Sequence, residues 1–299
     1  MARSAKGPPK RRTNTVSALE RGIAVLRCFE ADPRPMSNGE VARATRIPKP
    51  TVTRLLATLM SVGYLKPARE PDKYQLSAGV IPLAQAFLRS VDVRAYARPH
   101  MVALAEAIGG WAYLAVRNGL EMIIIETCRA HASVLLSRLD VGSRVPMPNS
   151  ALGRAYLSAL EPRERERLLD ELRVAFGAEW PKLRAGLQLA LADAAEHGYC
   201  MSAGEWHPDV NSIAVPLLAP GGERMALLCG GPAYAFPAER LRKLIAPQLL
   251  QTAKAIAHDI GGGYAGSISL DAPSARAAAS ASSTATNAPR PRSTRRISS

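Results

Sequence analysis

The sequence has few of the residues that mark a metal-binding or disulfide-stabilised protein. Only four of its 299 residues are cysteine, and Cys28, Cys128, Cys200 and Cys229 form no CxxC pair. So few scattered cysteines in so long a chain argue against a disulfide framework. Cys128 and His131 lie three residues apart, but no second pair of candidate ligands accompanies them in the sequence. We therefore expect these two residues to be ordinary packed residues, and no metal site.

Catalytic signatures are missing as well. The sequence contains no GxSxG, GxxxxGK[ST] or HExxH motif, and its five histidines show no ligand spacing. His207, with Glu205 and Asp209 close by, is the best acid–base candidate, and an enzyme acting through it is one alternative. A loop with mixed charges is the commoner explanation of such residues. We expect neither catalysis nor a cofactor.

Long apolar runs are absent, and this bears on location. No stretch approaches the roughly 18 residues that a membrane helix needs. The N-terminus MARSAKGPPKRRTNT is basic but lacks the apolar segment of a secretory signal. We therefore expect a cytoplasmic protein with no membrane partner.

The net charge of +14 is unevenly distributed. Residues 1–15 carry +5, residues 16–90 carry +5 and residues 261–299 carry +4, which leaves residues 91–260 close to neutral. This asymmetry predicts a polyanion-binding part attached to a neutral part. The two ends, 1–15 and 261–299, have little to bury, so we expect both to be disordered.

Residues 16–77 have the pattern of a winged helix-turn-helix domain. Apolar residues first recur at helical spacing. Ser37 and Glu40 then predict a capping box at the start of a short second helix. A third helix and a basic β-hairpin follow. Residues 78–92 predict a connecting helix.

The third helix, within IPKPTVTRLLATLM, is amphipathic in a way that suits DNA. Val52, Leu55, Leu56 and Leu59 form the apolar face, and the N-terminal half is polar. The major groove admits an α-helix, and the free amides at a helix start suit phosphate. A solvated helix face is the simpler alternative. With the basic hairpin beside it, we predict DNA contacts from Lys49, Thr51, Thr53, Arg54, Lys66, Arg69 and Lys73.

Residues 93–260 alternate helices with antiparallel strands, which predicts an α+β sensor-like domain. Ser150 is a good N-cap for one of the helices. The first amides of that helix, at Ala151, Leu152 and Gly153, would form an anion site for a carboxylate.

Six segments carry a resemblance to a known family. VSALERGIAVLRCFE, IPKPTVTRLLATLMSVGYL and YQLSAGVIPLAQAFL resemble the DNA-binding half of the IclR-type bacterial transcriptional regulators. VGSRVPMPNSALGRAYLSAL, EHGYCMSAGEW and NSIAVPLLAPGGERMALLCGGP resemble the ligand-binding half. The resemblance covers about residues 15–260. It implies an α+β chain with a winged helix-turn-helix domain, a linker helix and a GAF-like effector-binding domain, assembled into homodimers or homotetramers.

The resemblance also implies a small-molecule pocket, commonly for organic acids, in the second domain. Matching the family motifs gives the effector-binding positions Ser150, Ala151, Leu152, Ser202, Glu205, Ser212, Leu228 and Gly230. Family members often carry polar residues at the last two positions, so this departure favours a larger, partly apolar ligand. Arg129, Arg138 and Arg144 are further candidates to pair with an acidic effector, although ordinary surface arginines are the simpler alternative.

These features predict a transcriptional regulator that binds double-stranded operator DNA and responds to an organic acid, aromatic acids included. A ligand-independent architectural DNA-binding protein is the main alternative. A change in DNA affinity caused by a small molecule would separate the two.

Overall fold

The computed structural model describes residues 15–131 and 139–264, and the chain divides into two compact units between Val91 and Asp92. The predictions of disorder for residues 1–14 and 265–299, and the candidate Arg138, lie outside the described residues. No helix in the described ranges has the length and the apolar composition to cross a membrane.

The first unit contains three helices, a small sheet and a fourth helix. In chain order these are α1 (Ser17–Ala31), β1 (Met36–Ser37), α2 (Asn38–Thr45), α3 (Lys49–Ser61), β2 (Leu65–Pro67), β3 (Lys73–Leu76), a 3-10 turn (Ala78–Val80) and α4 (Ile81–Ser90). The strands are antiparallel in the order β1–β3–β2. The predicted helices and hairpin are present, and β1 adds an unpredicted third strand.

The local sequence explains the ends of α2. Ser37 Oγ accepts from the Glu40 amide at 3.4 Å, and the Ser37 amide donates to Glu40 Oε2 at 2.8 Å, so the predicted capping box is confirmed. At the other end Arg46 has a φ of 58°, in the left-handed region. This conformation ends α2 and turns the chain sharply into α3.

The second unit is a curled antiparallel sheet with helices on both faces. Its elements are α5 (Val93–Ile108), β4 (Trp111–Asn118), β5 (Glu121–Arg129), β6 (Arg144–Pro146), α6 (Ala151–Ser158), α7 (Pro162–Phe176), a 3-10 turn (Gly177–Glu179), α8 (Trp180–His197), β7 (Cys200–Ala203), β8 (Val210–Leu218), β9 (Arg224–Pro232), α9 (Ala238–Arg240), a π turn (Leu241–Ile245), α10 (Ala246–Ile260) and β10 (Gly263–Tyr264). The strand order is β10–β8–β9–β4–β5–β6, and β7 also pairs with β8.

Side chains that alternate along the strands divide the buried residues of this unit between the two faces of the sheet. Trp111 and Tyr113 of β4 pack with Leu152 and Ala155 of α6 in one buried cluster. Because neighbouring side chains on a strand point to opposite faces, the residues between them face the other side of the sheet. There α5 and α10 contact each other and the strands.

The C-terminal end of the unit corrects one prediction. Gly263 and Tyr264 pair with Leu218 and Leu217 of β8, so the predicted start of the disordered tail at residue 261 is wrong. The glycines there read as a flexible run, but Gly262 lies so close to the Leu218 carbonyl that a side chain would clash with it. Gly262 therefore serves close backbone approach rather than flexibility.

Candidate DNA interface and effector cavity

Helix α3 presents two faces, as its sequence predicts. Val52, Leu56 and Leu59 are buried against the rest of the first unit. Lys49, Thr53 and Arg54 are exposed, and Thr51 is half-buried. The structure thus places Lys49, Thr53 and Arg54 on the exposed side of the first two turns of α3, while Thr51 is only partly exposed.

Thr53 has a partner that the sequence did not reveal. Asn38, the first residue of α2, donates from its side-chain nitrogen to Thr53 Oγ1 at 2.7 Å, and Thr53 Oγ1 donates to the Lys49 carbonyl at 3.0 Å. This exposed link ties the start of α2 to the start of α3. It fixes the spacing of the two helices of the motif at the surface that α3 presents.

The hairpin carries the remaining three predicted DNA-binding residues. Lys66 on β2 and Arg69 in the turn are exposed, whereas Lys73 on β3 is half-buried. The Lys73 Nζ forms an ion pair with Glu70 Oε2 at 2.5 Å. Asp72 has a φ of 56°, which allows the tight turn between the strands. The hairpin is the wing of the winged helix-turn-helix unit. It is short, and it carries two exposed cations, Lys66 and Arg69, and a third, Lys73, that is paired with Glu70.

A cavity of about 660 Å³ lies between the sheet of the second unit and the start of α6. Its lining combines aromatic and aliphatic side chains with a few polar ones: Trp111, Tyr113, Leu139, Val145, Ser150, Leu152, Trp206, His207, Asp209, Val210, Ser212, Leu228 and Pro232. This size and composition are typical of small-molecule sites, in which apolar walls bind the ligand and a few polar groups orient it.

The first turn of α6 forms one wall of the cavity. Ser150 Oγ donates to the Pro146 carbonyl at 2.5 Å and accepts from the Gly153 amide at 3.2 Å, which confirms the predicted N-cap. The amides of Ala151 and Leu152 have no acceptor within the helix because they lie in its first turn. Gly153 is packed so closely on Met147 that a side chain would clash with the backbone there.

Two rows of residues run across the sheet beneath the cavity. One row is Trp111–Gly230–Ser212, from β4 through β9 to β8. The next is Tyr113–Leu228–Ala214. The rings of Trp111 and Tyr113 are stacked with their centroids 6.4 Å apart. An added Cβ on Gly230 would lie 2.5 Å from the Asn211 carbonyl oxygen, so the strands approach closely at this glycine.

The loop between β7 and β8 forms the mouth of the cavity. Trp206 on this loop is half-buried, while His207 and Asp209 are exposed. His207 Nδ1 is 3.9 Å from Asp209 Oδ2. Glu205, the third member of the acid–base alternative, instead forms an ion pair with Arg154. The three residues therefore do not converge into one acid–base group.

Arg154 is a buried residue that the sequence analysis missed. Only 2 % of it is exposed, and its guanidinium donates to the carbonyls of Pro148 at 3.0 Å and Met201 at 2.8 Å as well as to Glu205. Gly186 of α8 makes room for the pair, since an added Cβ would lie 2.6 Å from Glu205 Oε2. An arginine within the apolar stretch ALGRAYL was the only available signal.

The predicted effector-binding residues divide into two groups. Ser150, Leu152, Ser212 and Leu228 line the cavity. The other four support it from neighbouring positions: Ala151 in the first turn of α6, Gly230 in the sheet, Glu205 beside Arg154, and Ser202, whose hydroxyl donates to the Asn149 carbonyl at 2.8 Å.

The other candidate residues have partners elsewhere. Arg129 donates to the Leu139 carbonyl at 2.5 Å, and Arg144 donates to Glu121 at 2.7 Å. The His131 ring contacts Glu106, and burial raises the pKa of the Cys128 thiol. Across the described residues, no group of three or more metal-ligating side chains is found.

The fold and the site define a class of protein: a winged helix-turn-helix unit joined to an α/β unit that holds a cavity is the organisation of DNA-binding transcriptional regulators with a ligand-binding domain. Residues 18–68 match the IclR helix-turn-helix domain, and residues 85–258 match the bacterial transcriptional regulator IclR C-terminal domain. The chain belongs to the IclR family. Members of this family that it matches are transcriptional regulators.

Three relatives illustrate the similarity. The HTH-type transcriptional regulator TsaQ1/TsaQ2 of Comamonas testosteroni is 29% identical over 241 residues, which is 80% of this chain and 86% of that protein. The crystal structure of an IclR family regulator from Brucella abortus is 36% identical, with a TM-score of 0.77, over 86% of this chain and 97% of that one. An IclR homolog from Microbacterium hydrocarbonoxydans, complexed with 4-hydroxybenzoate, is 26% identical with a TM-score of 0.66, over 82% and 99%.

Proposed function

We propose that this regulator binds operator DNA through α3 and the β2–β3 hairpin, and that an aromatic carboxylic acid in the cavity changes that binding. The lining of the cavity carries the proposal. Trp111, Tyr113, Trp206 and Leu228 supply flat and apolar surface, and Ser150 marks the polar end. An aromatic acid has the matching division into an apolar ring and one charged group.

The carboxylate is assigned to the first turn of α6. The amides of Ala151 and Leu152 and the positive end of the helix dipole favour an anion there. Asp209 also lines the cavity, but its side chain is 90% exposed at the mouth, where water screens its charge. The buried end therefore favours an acid, and the exposed carboxylate does not oppose it strongly.

The apolar part of the site excludes the smallest acids as good ligands. Leu228 and Tyr113 lie side by side on adjacent strands and both line the cavity. A small, fully polar acid would leave this apolar surface wet, whereas a ring would cover it. The Microbacterium hydrocarbonoxydans homolog, with 4-hydroxybenzoate, supports the same ligand class.

On the DNA side, the seven basic and hydroxyl residues have two roles. Lys49, Thr51, Thr53 and Arg54 on α3 approach base edges or nearby phosphates in the major groove. Lys66, Arg69 and Lys73 on the hairpin hold backbone phosphates, which position the domain without reading sequence.

We also propose that the regulator is a homodimer, alone or paired into a homotetramer. None of the ten residues of α4, all of them described, is buried, although Ile81, Leu83 and Phe87 are large and apolar with 54%, 61% and 50% exposed. On α1, Leu19 is 64% exposed. Large apolar side chains exposed in this way favour association with a second copy. Two α3 helices could then reach two half-sites of a palindromic operator.

An effector can change operator affinity only if it binds two arrangements of the regulator unequally. The test therefore measures DNA binding in the absence and in the presence of candidate acids. Purified protein is added to labelled DNA from upstream of its own gene, and to a scrambled duplex, while fluorescence anisotropy is recorded. The titration is repeated with aromatic acids and with aliphatic acids of similar charge.

The expected result is sequence-dependent binding that aromatic acids alter and small aliphatic acids do not. Val210→Trp is a useful companion variant, since Val210 is half-buried in the cavity lining and a larger ring there should block the site without touching the first unit. It should keep DNA binding and lose the response to acid. Equal binding to both duplexes, insensitive to every acid, would favour the architectural alternative.

A further inference from the structure

Trp111 carries a buried hydrogen-bond donor in the wall of the cavity. Trp111 is 5% exposed, and its Nε1 has no hydrogen-bond partner among the described residues. The indole N–H can only donate, and buried polar groups in native proteins are rarely left without a partner. An acceptor on a bound molecule would satisfy this donor.

The neighbours of Trp111 in the sheet define the space that such an acceptor would occupy. Trp111, Gly230 and Ser212 stand opposite one another on three adjacent strands, so their side chains point to the same face. Trp111 and Ser212 both line the cavity, whereas Gly230 between them is covered by Ser212, whose Cβ would lie 2.9 Å from an added Cβ on Gly230. A molecule in the cavity therefore meets both the indole donor and the Ser212 hydroxyl, which can donate or accept.

Trp206, the other tryptophan of the cavity, differs in this respect. It is half-buried on the loop at the mouth, whereas Trp111 lies in the central strand pair of the sheet. Trp206 therefore offers ring surface to a ligand at the mouth. Trp111 offers ring surface and a donor at the floor.

We infer that Trp111 is a ligand-binding residue, and that the effector is an aromatic acid bearing a second oxygen substituent that accepts from the Trp111 indole N–H. The inference rests on the proposed function, because it takes the carboxylate at α6 as given. A phenolic hydroxyl suits the site particularly well: its oxygen accepts from Trp111 while its proton is donated to Ser212 Oγ. Hydroxylated aromatic acids are the ligand class that this arrangement selects.

The test compares two acids of nearly equal size, 4-hydroxybenzoate and 4-methylbenzoate, by isothermal titration calorimetry. Wild-type protein should bind the hydroxy acid about tenfold more tightly, since a buried donor left unpaired by the methyl group is costly. In Trp111→Phe that preference should fall to near one. In Trp206→Phe both acids should weaken together, with the preference retained.

A second measurement does not depend on how well Trp111→Phe folds. Proton–nitrogen NMR spectra of the wild-type protein contain indole signals from Trp111, Trp180 and Trp206, which the three single Trp→Phe variants assign. The Trp111 indole proton should shift downfield with 4-hydroxybenzoate but not with 4-methylbenzoate.

The outcomes separate the two proposals. If the wild-type protein binds both acids equally, or if Trp111→Phe keeps the preference, or if the Trp111 signal responds to both acids alike, the role of Trp111 is overturned while the aromatic effector stands. If neither acid binds the wild-type protein and no aromatic acid alters DNA binding, the aromatic effector itself is refuted, and the role of Trp111 with it.

Discussion

The Arg154 guanidinium and the Glu205 carboxylate face each other through two contacts, Nη1–Oε1 at 2.7 Å and Nη2–Oε2 at 2.5 Å. Arg154 also binds the carbonyls of Pro148 and Met201, so one side chain of α6 ties the loop before its own helix to β7. Glu205 directly precedes Trp206 at the mouth of the cavity. This pair therefore positions the two polypeptide segments that form the cavity, and it accounts for Glu205 without direct contact to an effector.

Replacing Arg154 should destabilise the protein. Arg154→Met leaves two carbonyls, one buried and one half-buried, without their donor and a carboxylate without its cation, which we expect to lower the free energy of unfolding by about 2 kcal/mol. The loss is moderated because 42% of the Glu205 side chain is exposed and water can replace part of the interaction. Arg154→Lys should recover only part of the loss, because an ammonium cannot form the paired contacts.

Urea unfolding followed by tryptophan fluorescence measures this effect, since Trp111, Trp180 and Trp206 all lie in the second unit. Arg167→Met, at an exposed position of α7, is the matched control and should change stability by less than about 0.5 kcal/mol. Equal stability of the two variants would rule out the positioning role of Arg154.

The hairpin lysines should affect DNA binding without affecting sequence preference. Lys66→Ala and Lys73→Ala should each weaken binding to all sequences and reduce the slope of log K against log salt by about one, because each loses one phosphate contact. Glu70→Gln should tighten binding, since it releases Lys73 from its ion pair. Anisotropy titrations at several salt concentrations measure the slopes. Lys182 is exposed on α8, and Lys182→Ala should leave the salt slopes unchanged. An unchanged slope in the hairpin variants would show that the hairpin does not contact DNA.

Arg54 should contribute to sequence discrimination rather than to general affinity. It is exposed in the second turn of α3, beside the Asn38–Thr53 link. Arg54→Ala should cost about 1–3 kcal/mol on the operator and much less on a scrambled duplex, because a bidentate base contact is lost. In titrations on operators with single base-pair changes, the affinity of the variant should no longer depend on the base pair at one position. A uniform loss on every duplex would assign Arg54 to a phosphate instead.

The capping box of α2 should make the stability of the first unit depend on acidic pH. The Ser37 amide, followed by Arg34 and the Ser37 hydroxyl, lowers the pKa of Glu40 from 4.5 to about 2. A carboxylate whose pKa is lower in the folded state stabilises the fold above its unfolded pKa. The contribution of Glu40 is therefore complete above pH 4.5 and is lost as the pH falls from there to about 2.

Glu40→Gln should accordingly flatten the decrease in stability over this interval, and it should lower stability most at neutral pH. Thermal unfolding followed by circular dichroism in a pH series measures both effects. Glu171→Gln, exposed on α7, is the control and should keep the wild-type profile. A wild-type profile in Glu40→Gln would show that the capping contacts are absent in solution.

Phe87 should contribute to self-association through α4. Phe87→Glu places a charge on the apolar surface of this helix, so we expect the oligomer to dissociate and operator affinity to fall with it. Sedimentation velocity measures the mass of the particle. Gln85→Glu adds the same charge at an exposed polar position of the same helix and should leave the oligomer intact. An unchanged mass in both variants would exclude α4 from the interface.

Many elements of the fold could be predicted from the sequence because they depend on residues close together in the chain. The capping box needs Ser37 and Glu40, three positions apart, and the apolar face of α3 needs only helical spacing. The cap of α6 is equally local, since Ser150 and Gly153 lie within one turn. Such elements follow from backbone geometry and near-neighbour hydrogen bonds, and all three are present in the structure.

The candidate effector cavity could be predicted from the sequence only in part. Ser150, Leu152, Ser212 and Leu228 line it as the resemblance implied, whereas Glu205 faces Arg154. Nothing local distinguishes these cases, because Arg154 and Glu205 are 51 positions apart. The contact between α6 and the loop after β7 decides which of the predicted residues line the cavity and which do not.

The sequence by itself thus determined the helices, the hairpin and the two-part organisation, whose periodicities and caps are local properties. Tertiary structure alone decided that Trp111, Gly230 and Ser212 form one row beneath the cavity. That row depends on strand register, and a shift of one residue in either pairing would turn each side chain to the other face of the sheet. Register is fixed by the packing of the whole unit, which no short stretch of sequence contains.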